Sequence, residues 1–147
     1  MSSRIVVNSI RHTGANADGI TLDNSGNFST GGSITASGTI TDGKGNVRKI
    51  IINSQSGAYT LVAADAGKAI YISTGGVTVP NAVFSAGDAI TIINNSGSSQ
   101  TITQGTNVTM YNTADAATGN RALAGRGMAT MYFVDSSTAY ISGSGLS

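Results

Sequence analysis

The side chains able to carry a reaction are few, and their spacing suits none of the common mechanisms. His12 is the single histidine, cysteine is absent, and all seven acidic residues are Asp. A charge-relay triad needs a histidine beside an activated Ser and a carboxylate, and no Ser here lies in a nucleophile-elbow setting. His12 therefore reads as a surface or subunit-contact residue. Ala66-Gly67-Lys68-Ala69 echoes a phosphate-binding loop, but Val62 stands where that loop needs its first glycine and Ala69 where it needs the magnesium-holding hydroxyl. Asp23 with Asn24, Ser25 and Asn27, and Asp42 with Asn46, put oxygen atoms at turn corners. Such carboxylates ordinarily bond their own backbone, and the bidentate Glu of a calcium hand cannot exist in a chain without Glu. Asp65, Asp88, Asp115 and Asp135 remain for paired-carboxylate hydrolysis, and no spacing among them recommends it. The expectation is a non-enzyme with no cofactor and no metal.

Binding chemistry rests on five tyrosines. Tyr71 and Tyr132 alternate with apolar neighbours assigned inward, so both are expected to face outward, where a phenol ring can stack on a glycan. Tyr59 is expected inward. An outward Tyr on a sheet also serves cross-strand packing or subunit contact.

Composition limits what can position these residues. Gly, Ser, Thr, Asn and Ala dominate, only 10% of the 147 residues are charged, and the helix-building residue Glu is missing. Thr, Val and Ile set between Gly and Asn favour strands and turns, so the class is all-β. A formal net charge of +1 supplies no field to hold a polyanion, which argues against nucleic acid. No apolar run approaches membrane-spanning length and none near the start resembles a secretory signal, so the expectation is a soluble protein made in the cytoplasm, without membrane insertion.

A repeat starts at Leu22. Leu22, Phe28, Ile34 and Ile40 recur every six residues, with Gly26, Gly32 and Gly38 in phase and the glycine displaced in the fourth block. Six is neither the helical nor the simple strand period; it describes a short extended piece, one inward side chain and a turn. Four such blocks cannot shelter their own apolar residues. Three parallel copies pointing these residues at a shared axis would, which predicts a homotrimer with a short intertwined β-stalk.

From Val47 the texture becomes apolar stretches with period two, bounded by Gly, Asn, Ser and Asp. The pattern predicts strands over 49–53, 58–62, 69–73, 77–80, 89–94, 101–104, 108–111, 127–135 and 139–142. Tyr59, Leu61, Ile70, Ile72, Val77, Val79, Ile90, Ile92, Met131 and Phe133 are assigned to the core. Thr74-Gly75-Gly76 and Asn95-Ser96-Gly97 carry hairpin chemistry and predict antiparallel pairing. Ala63 to Gly67 and Thr113 to Ala117 are each expected to form at most one helical turn. The long break from Asn112 to Gly127, with Arg121 and Arg126, is a natural place for partner contacts.

The opening RIVVNSIRHTGANADGITLDNSGN with hexads such as GGSITASGTIT resembles the amino-terminal and shaft segments of tail-fibre-like virion proteins of marine bacteriophages, the cyanophage type. The stretches YTLVAADAGKAIYISTGGVTVPNAVFSAGDAITIINNSGSSQTITQG and NRALAGRGMATMYFVDSSTAYISGSG are similar to a β-domain at the ends of phage fibres. The resemblance implies trimeric assembly and a place on the virion surface. Four hexads are fewer than such fibres often carry, which favours a compact capsid decoration or head fibre over a long tail fibre.

The organisation expected is thus a docking segment over 1–14, a hexad stalk over 15–47 and an antiparallel, jelly-roll-like β-sandwich head over 48–147. Arg4, Ile5, Val7 and Arg11 are expected to dock on another capsid or tail protein, Leu22, Phe28, Ile34 and Ile40 to form the trimer core, and Tyr71 and Tyr132 to touch glycan. The function expected is a structural spike or fibre subunit. The alternative is an adhesin, the receptor-binding tip of a tail fibre, that attaches the virion to host polysaccharide.

Overall fold

The computed structural model describes residues 8–11, 13–14, 19–43, 45–47 and 49–147. Arg4, Ile5, Val7 and His12 lie outside the described residues. The chain divides into two compact units, Met1–Thr39 and Ile40–Ser147. Nearly all regular structure is β, as the composition requires.

In the first unit, β1 (Ser9–Ile10), β2 (Ile20–Leu22) and β3 (Phe28–Thr30) form a small antiparallel meander. Leu22 lies directly opposite Phe28, so the first two hexads fold back on each other within one chain. The turn between them is fastened by Asp23, whose carboxylate accepts the backbone N–H groups of Ser25 (2.8 Å) and Asn27 (2.9 Å) and the Asn27 amide (2.8 Å). Those donors hold the Asp23 carboxyl below its usual range, the Asn27 side chain contributing most. The third hexad, Ile34 to Thr39, has no strand.

The second unit begins with the short hairpin of β4 (Thr41–Asp42) and β5 (Gly45–Asn46). Three coils follow. The first is β6 (Ile52–Gln55) and β7 (Tyr59–Thr60), the second β8 (Ala69–Ile72) and β9 (Val77–Val79), the third β10 (Ala89–Asn94) and β11 (Gln100–Gln104). The first strands of the coils stack in parallel, Ile52 against Ala69 and Ala69 against Thr91, and so do the second strands, Tyr59 against Val77 and Val77 against Ile102. After β12 (Thr109–Asn112), the long β13 (Arg121–Phe133) runs back antiparallel across the third coil, pairing with β10 through Met128–Tyr132 and with β11 through Arg121–Leu123. The last strand, β14 (Thr138–Leu146), lies antiparallel beside β13 and parallel to β12.

This is a mixed sheet of stacked coils in place of the jelly-roll-like antiparallel sandwich. The hairpins expected at Thr74-Gly75-Gly76 and Asn95-Ser96-Gly97 do not form, because the strands flanking each turn pair with neighbouring coils or with β13 and not with each other. Glycine is needed there for a different reason. Gly75 and Gly76 have φ of +82° and +71°, and a Cβ on Gly75 would strike the Ala58 backbone of the first coil while one on Gly76 would strike Thr101 of the third. The corner is squeezed between its neighbours, so only a bare backbone fits.

The core is a single cluster that includes Ile70, Ile72, Val77, Val79, Ile90, Ile92, Met131 and Phe133, with Tyr59 packed against it and Phe84 stacked on Phe133 at 4.4 Å between ring centroids. Alternation along each strand places these residues inward, which is why the period-two reading located them. The amide of Asn94, fully buried, pins the third corner: its nitrogen lies 2.8–2.9 Å from the carbonyls of Ser98, Leu123 and Ala124, and its oxygen accepts from Ser96 N.

Candidate functional site

The outward face of the coil stack is built by the odd partners of the same alternation. Ile90, Ile92 and Asn94 of β10 point inward, leaving Ala89, Thr91 and Ile93 outward; Met128, Thr130 and Tyr132 do the same on β13, and Tyr140, Ser142 and Ser144 on β14. Register then aligns the rings. Tyr132 lies opposite Tyr140 across the antiparallel β13–β14 pair, and Tyr140 opposite Tyr111 across the parallel β14–β12 pair. Tyr111 and Tyr140 stack with centroids 5.3 Å apart at an interplanar angle of 25°. Tyr132 and Tyr140 are 49% and 43% exposed, so the row is open to solvent.

At the Tyr111 end the row meets a hollow of about 500 Å³ lined by Tyr111, Asn112, Thr113, Ala116 and Tyr140. No charged side chain lines it. Its rim is the turn after β12, where Asn112 N donates to Ala117 O (2.8 Å) and Ala116 N donates to Asn112 O (2.8 Å). Ala116 sits at φ +59°, a left-handed conformation costing an L residue about 1 kcal/mol. The helical turn expected over Thr113 to Ala117 is this turn instead, and Asp115 closes it by accepting Ala117 N at 2.9 Å.

Tyr71 is placed elsewhere on the sheet. On β8 it lines a second hollow of about 320 Å³ with Ser54, Gln55, Ser56, Ser73 and Asn95. Asn95 is in turn held by the Arg126 guanidinium, whose Nη1 donates to its backbone oxygen (3.0 Å) and to its Oδ1. The two glycan candidates are therefore not brought together: Tyr132 joins Tyr140 and Tyr111, and Tyr71 stands apart. Sequence reasoning counted Tyr111 and Tyr140 among the five tyrosines, and Asn112 at the start of the long break, without singling them out as a site. Alternation alone would have turned both rings outward, but their alignment depends on a parallel β12–β14 register that no local signal announces.

Of the remaining chemistry-bearing residues, Asp65 is the most enclosed. It ends the 3₁₀ turn Ala63–Asp65 and is buried, with Oδ1 accepting from Asn53 Nδ2 (2.8 Å) and Oδ2 from the Tyr59 hydroxyl (2.9 Å) and Val62 N (2.9 Å). Desolvation first, then the bond to Asp65, raises the Tyr59 phenol above its ordinary value. Asp135 is exposed and accepts Ser137 N (2.7 Å), the Ser137 hydroxyl (3.0 Å) and Thr138 N (2.7 Å), which lower its carboxyl. Arg121 donates to the carbonyls of Thr118 and Gly119 at the start of β13.

The hexad-leading residues have a common environment. Leu22 is 42% exposed, Phe28 61%, Ile34 62% and Ile40 40%, and Arg11 is exposed as well. Among the described residues no group of three His, Cys, Asp or Glu converges as metal ligands would, and no helix is long and apolar enough to cross a membrane. No family model, curated protein or solved structure matches this chain.

Proposed function

We propose that this chain is a non-enzymatic structural subunit of a bacteriophage virion, a short homotrimeric surface spike or fibre standing on the head or the tail. One observation carries the reading: all four hexad-leading side chains are exposed in the single chain, at one regular spacing, whereas the coil stack gathers most of its large apolar residues into one buried cluster and leaves only scattered ones such as Ile52, Val62 and Met128 outside. Exposed apolar side chains at a regular six-residue spacing are what a subunit offers to identical neighbours. An intertwined stalk over 15–47 would exchange the local Leu22–Phe28 pairing for contacts among sister chains. Residues 1–14, with Arg4, Ile5, Val7 and Arg11, would dock on another capsid or tail protein, and the head over 48–147 would be held outward.

The placement of the carboxylates supports a role without chemistry. Asp23 and Asp135 are tied to their own turns and Asp65 to Asn53, Tyr59 and Val62, so each is occupied structurally. The test is sedimentation equilibrium at working concentration. A species of three times the 14.7 kDa chain mass is expected, and a well-folded single chain would defeat the proposal.

A second reading is favoured by the open tyrosine row: the head is an adhesin that binds host polysaccharide. Three heads on one stalk would then turn weak single contacts into firm attachment through avidity. Binding of the chain to surface polysaccharide, absent from a variant lacking the tyrosines, checks it.

A further inference from the structure

Asn112 singles out one end of the tyrosine row. Its side chain is 6% exposed, and its Oδ1 accepts from Ala114 N at 3.3 Å, which turns the amide nitrogen the other way. That nitrogen donates to no atom among the described residues, and the residue lines the 500 Å³ hollow. Among the described residues no fully buried side-chain nitrogen or oxygen lacks a partner, so this amide nitrogen keeps contact with solvent and is open to an acceptor from outside the chain. The Thr113 hydroxyl and the phenols of Tyr111 and Tyr140 likewise have no partner among the described residues, in contrast to Tyr59, whose hydroxyl is bonded to Asp65. Polar groups without a protein partner thus line the same hollow as a wall of two stacked rings.

The lining selects a ligand class. A phosphate or carboxylate would find no Lys or Arg among the lining residues, so the ligand is neutral. A purely apolar ligand would cover the Asn112 amide without accepting its hydrogens, which disfavours it. The volume lies in the roughly 300–1,000 Å³ range of small-ligand sites. A ring with an apolar face to lay on an aromatic wall and hydroxyls around its edge satisfies all of these constraints. The left-handed Ala116 belongs to the same rim, and backbone strain of this kind gathers where a surrounding site requires it.

We propose that the hollow formed by Tyr111, Asn112, Thr113, Ala116 and Tyr140 binds a neutral pyranose unit of a polysaccharide. The Asn112 amide and the Thr113 hydroxyl take its hydroxyl groups, its apolar face lies on the Tyr111–Tyr140 wall, and the next sugar continues along the row over Tyr132. The proposal rests on the adhesive reading of the head and is independent of the oligomeric state.

The test is titration of the full chain with neutral gluco-, galacto- and manno-hexasaccharides, followed by saturation-transfer NMR, with oligouronates and nucleosides as competitors. At least one neutral series is expected to bind. Tyr140→Ala should weaken it about tenfold, the loss expected for an aromatic contact and its buried area. Thr113→Val, nearly the same shape, should weaken it several-fold, while Tyr71→Ala leaves it unchanged; circular dichroism and sedimentation of each variant establish that it is folded and assembled like the parent. Preference for uronates or nucleosides would overturn the assignment of class. Binding lost in Tyr71→Ala but kept in Tyr140→Ala would overturn this site and leave the adhesive reading standing. Silence across all three neutral series would overturn both, and the sedimentation of the same samples would still decide the trimer separately.

Discussion

Asp65 is a buried carboxyl with no cation bonded to it among the described residues, sustained by three donors from three different places: the Asn53 amide on β6, the Tyr59 hydroxyl on β7 and the backbone N–H of Val62. It thereby ties both strands of the first coil to the connection that leads into the second. Replacing it with Ala would strand those donors in a site nearly closed to water, so Asp65→Ala should cost about 1–3 kcal/mol in urea unfolding. The titrating groups give this chain a stability plateau with two edges. Asp23 and Asp135 have lowered carboxyl pKa values, so the stability they contribute is complete above the unfolded value of about 4 and is lost as pH falls through their lower folded values. Tyr59 has a raised phenol, so its contribution is complete below about pH 10 and is lost as pH climbs through its higher folded value. Thermal midpoints measured across pH should show both edges; Asp135→Asn should flatten the acid one and Tyr59→Phe the alkaline one.

At the scale of elements, strand existence was largely legible and strand partnership was not. The expected strands over 69–73, 77–80, 89–94 and 101–104 correspond to β8, β9, β10 and β11 within one residue at each end, because inward Ile and Val alternate there with Thr and Tyr. The expected strand over 127–135 missed its first half: β13 begins at Arg121, where Ala, Gly and Arg carry no period-two signal. The Gly-rich turns were read as hairpins since Gly and Asn permit positive φ, but the same residues are demanded by close stacking of one coil on the next. That distinction predicts a contrast. Gly75→Ala should destabilise by at least ~2 kcal/mol, combining a left-handed φ with collision against Ala58, whereas Gly97→Ala, whose added methyl meets nothing within 4 Å, should stay within about 0.5 kcal/mol. Thermal unfolding of the pair side by side measures it. The candidate site shared this fate: Tyr132 was singled out from alternation, while its neighbours in the row became visible only with the register.

For the whole molecule, the hexads and the coil stack present opposite arrangements of apolar residues. The stack closes around Ile70, Ile92, Met131 and Phe133 by itself, and the hexads leave Leu22, Phe28, Ile34 and Ile40 outside. On the trimer proposed above, charging the hexads should abolish assembly without unfolding the head. The double substitution Phe28→Asp with Ile34→Asp is expected to sediment as a single chain while retaining the head's near-ultraviolet dichroism; a variant that remained trimeric would show that other surfaces hold the subunits. The repeat itself was plain in the sequence because its period is covalent. What lies opposite each apolar residue was not, since nothing local reports whether a neighbour comes from the same chain or another.

The parallel register of the coils has a further consequence for how such a head could vary in length. Each coil rests on the one before through backbone pairing at matched positions, and only the third is covered by the reversed β13. A duplicate of the second coil spliced in after Pro80 would add a rung without altering the covering strand or the first turn of the ladder. Growth in this architecture is by interior extension, with both terminal pieces kept as they are.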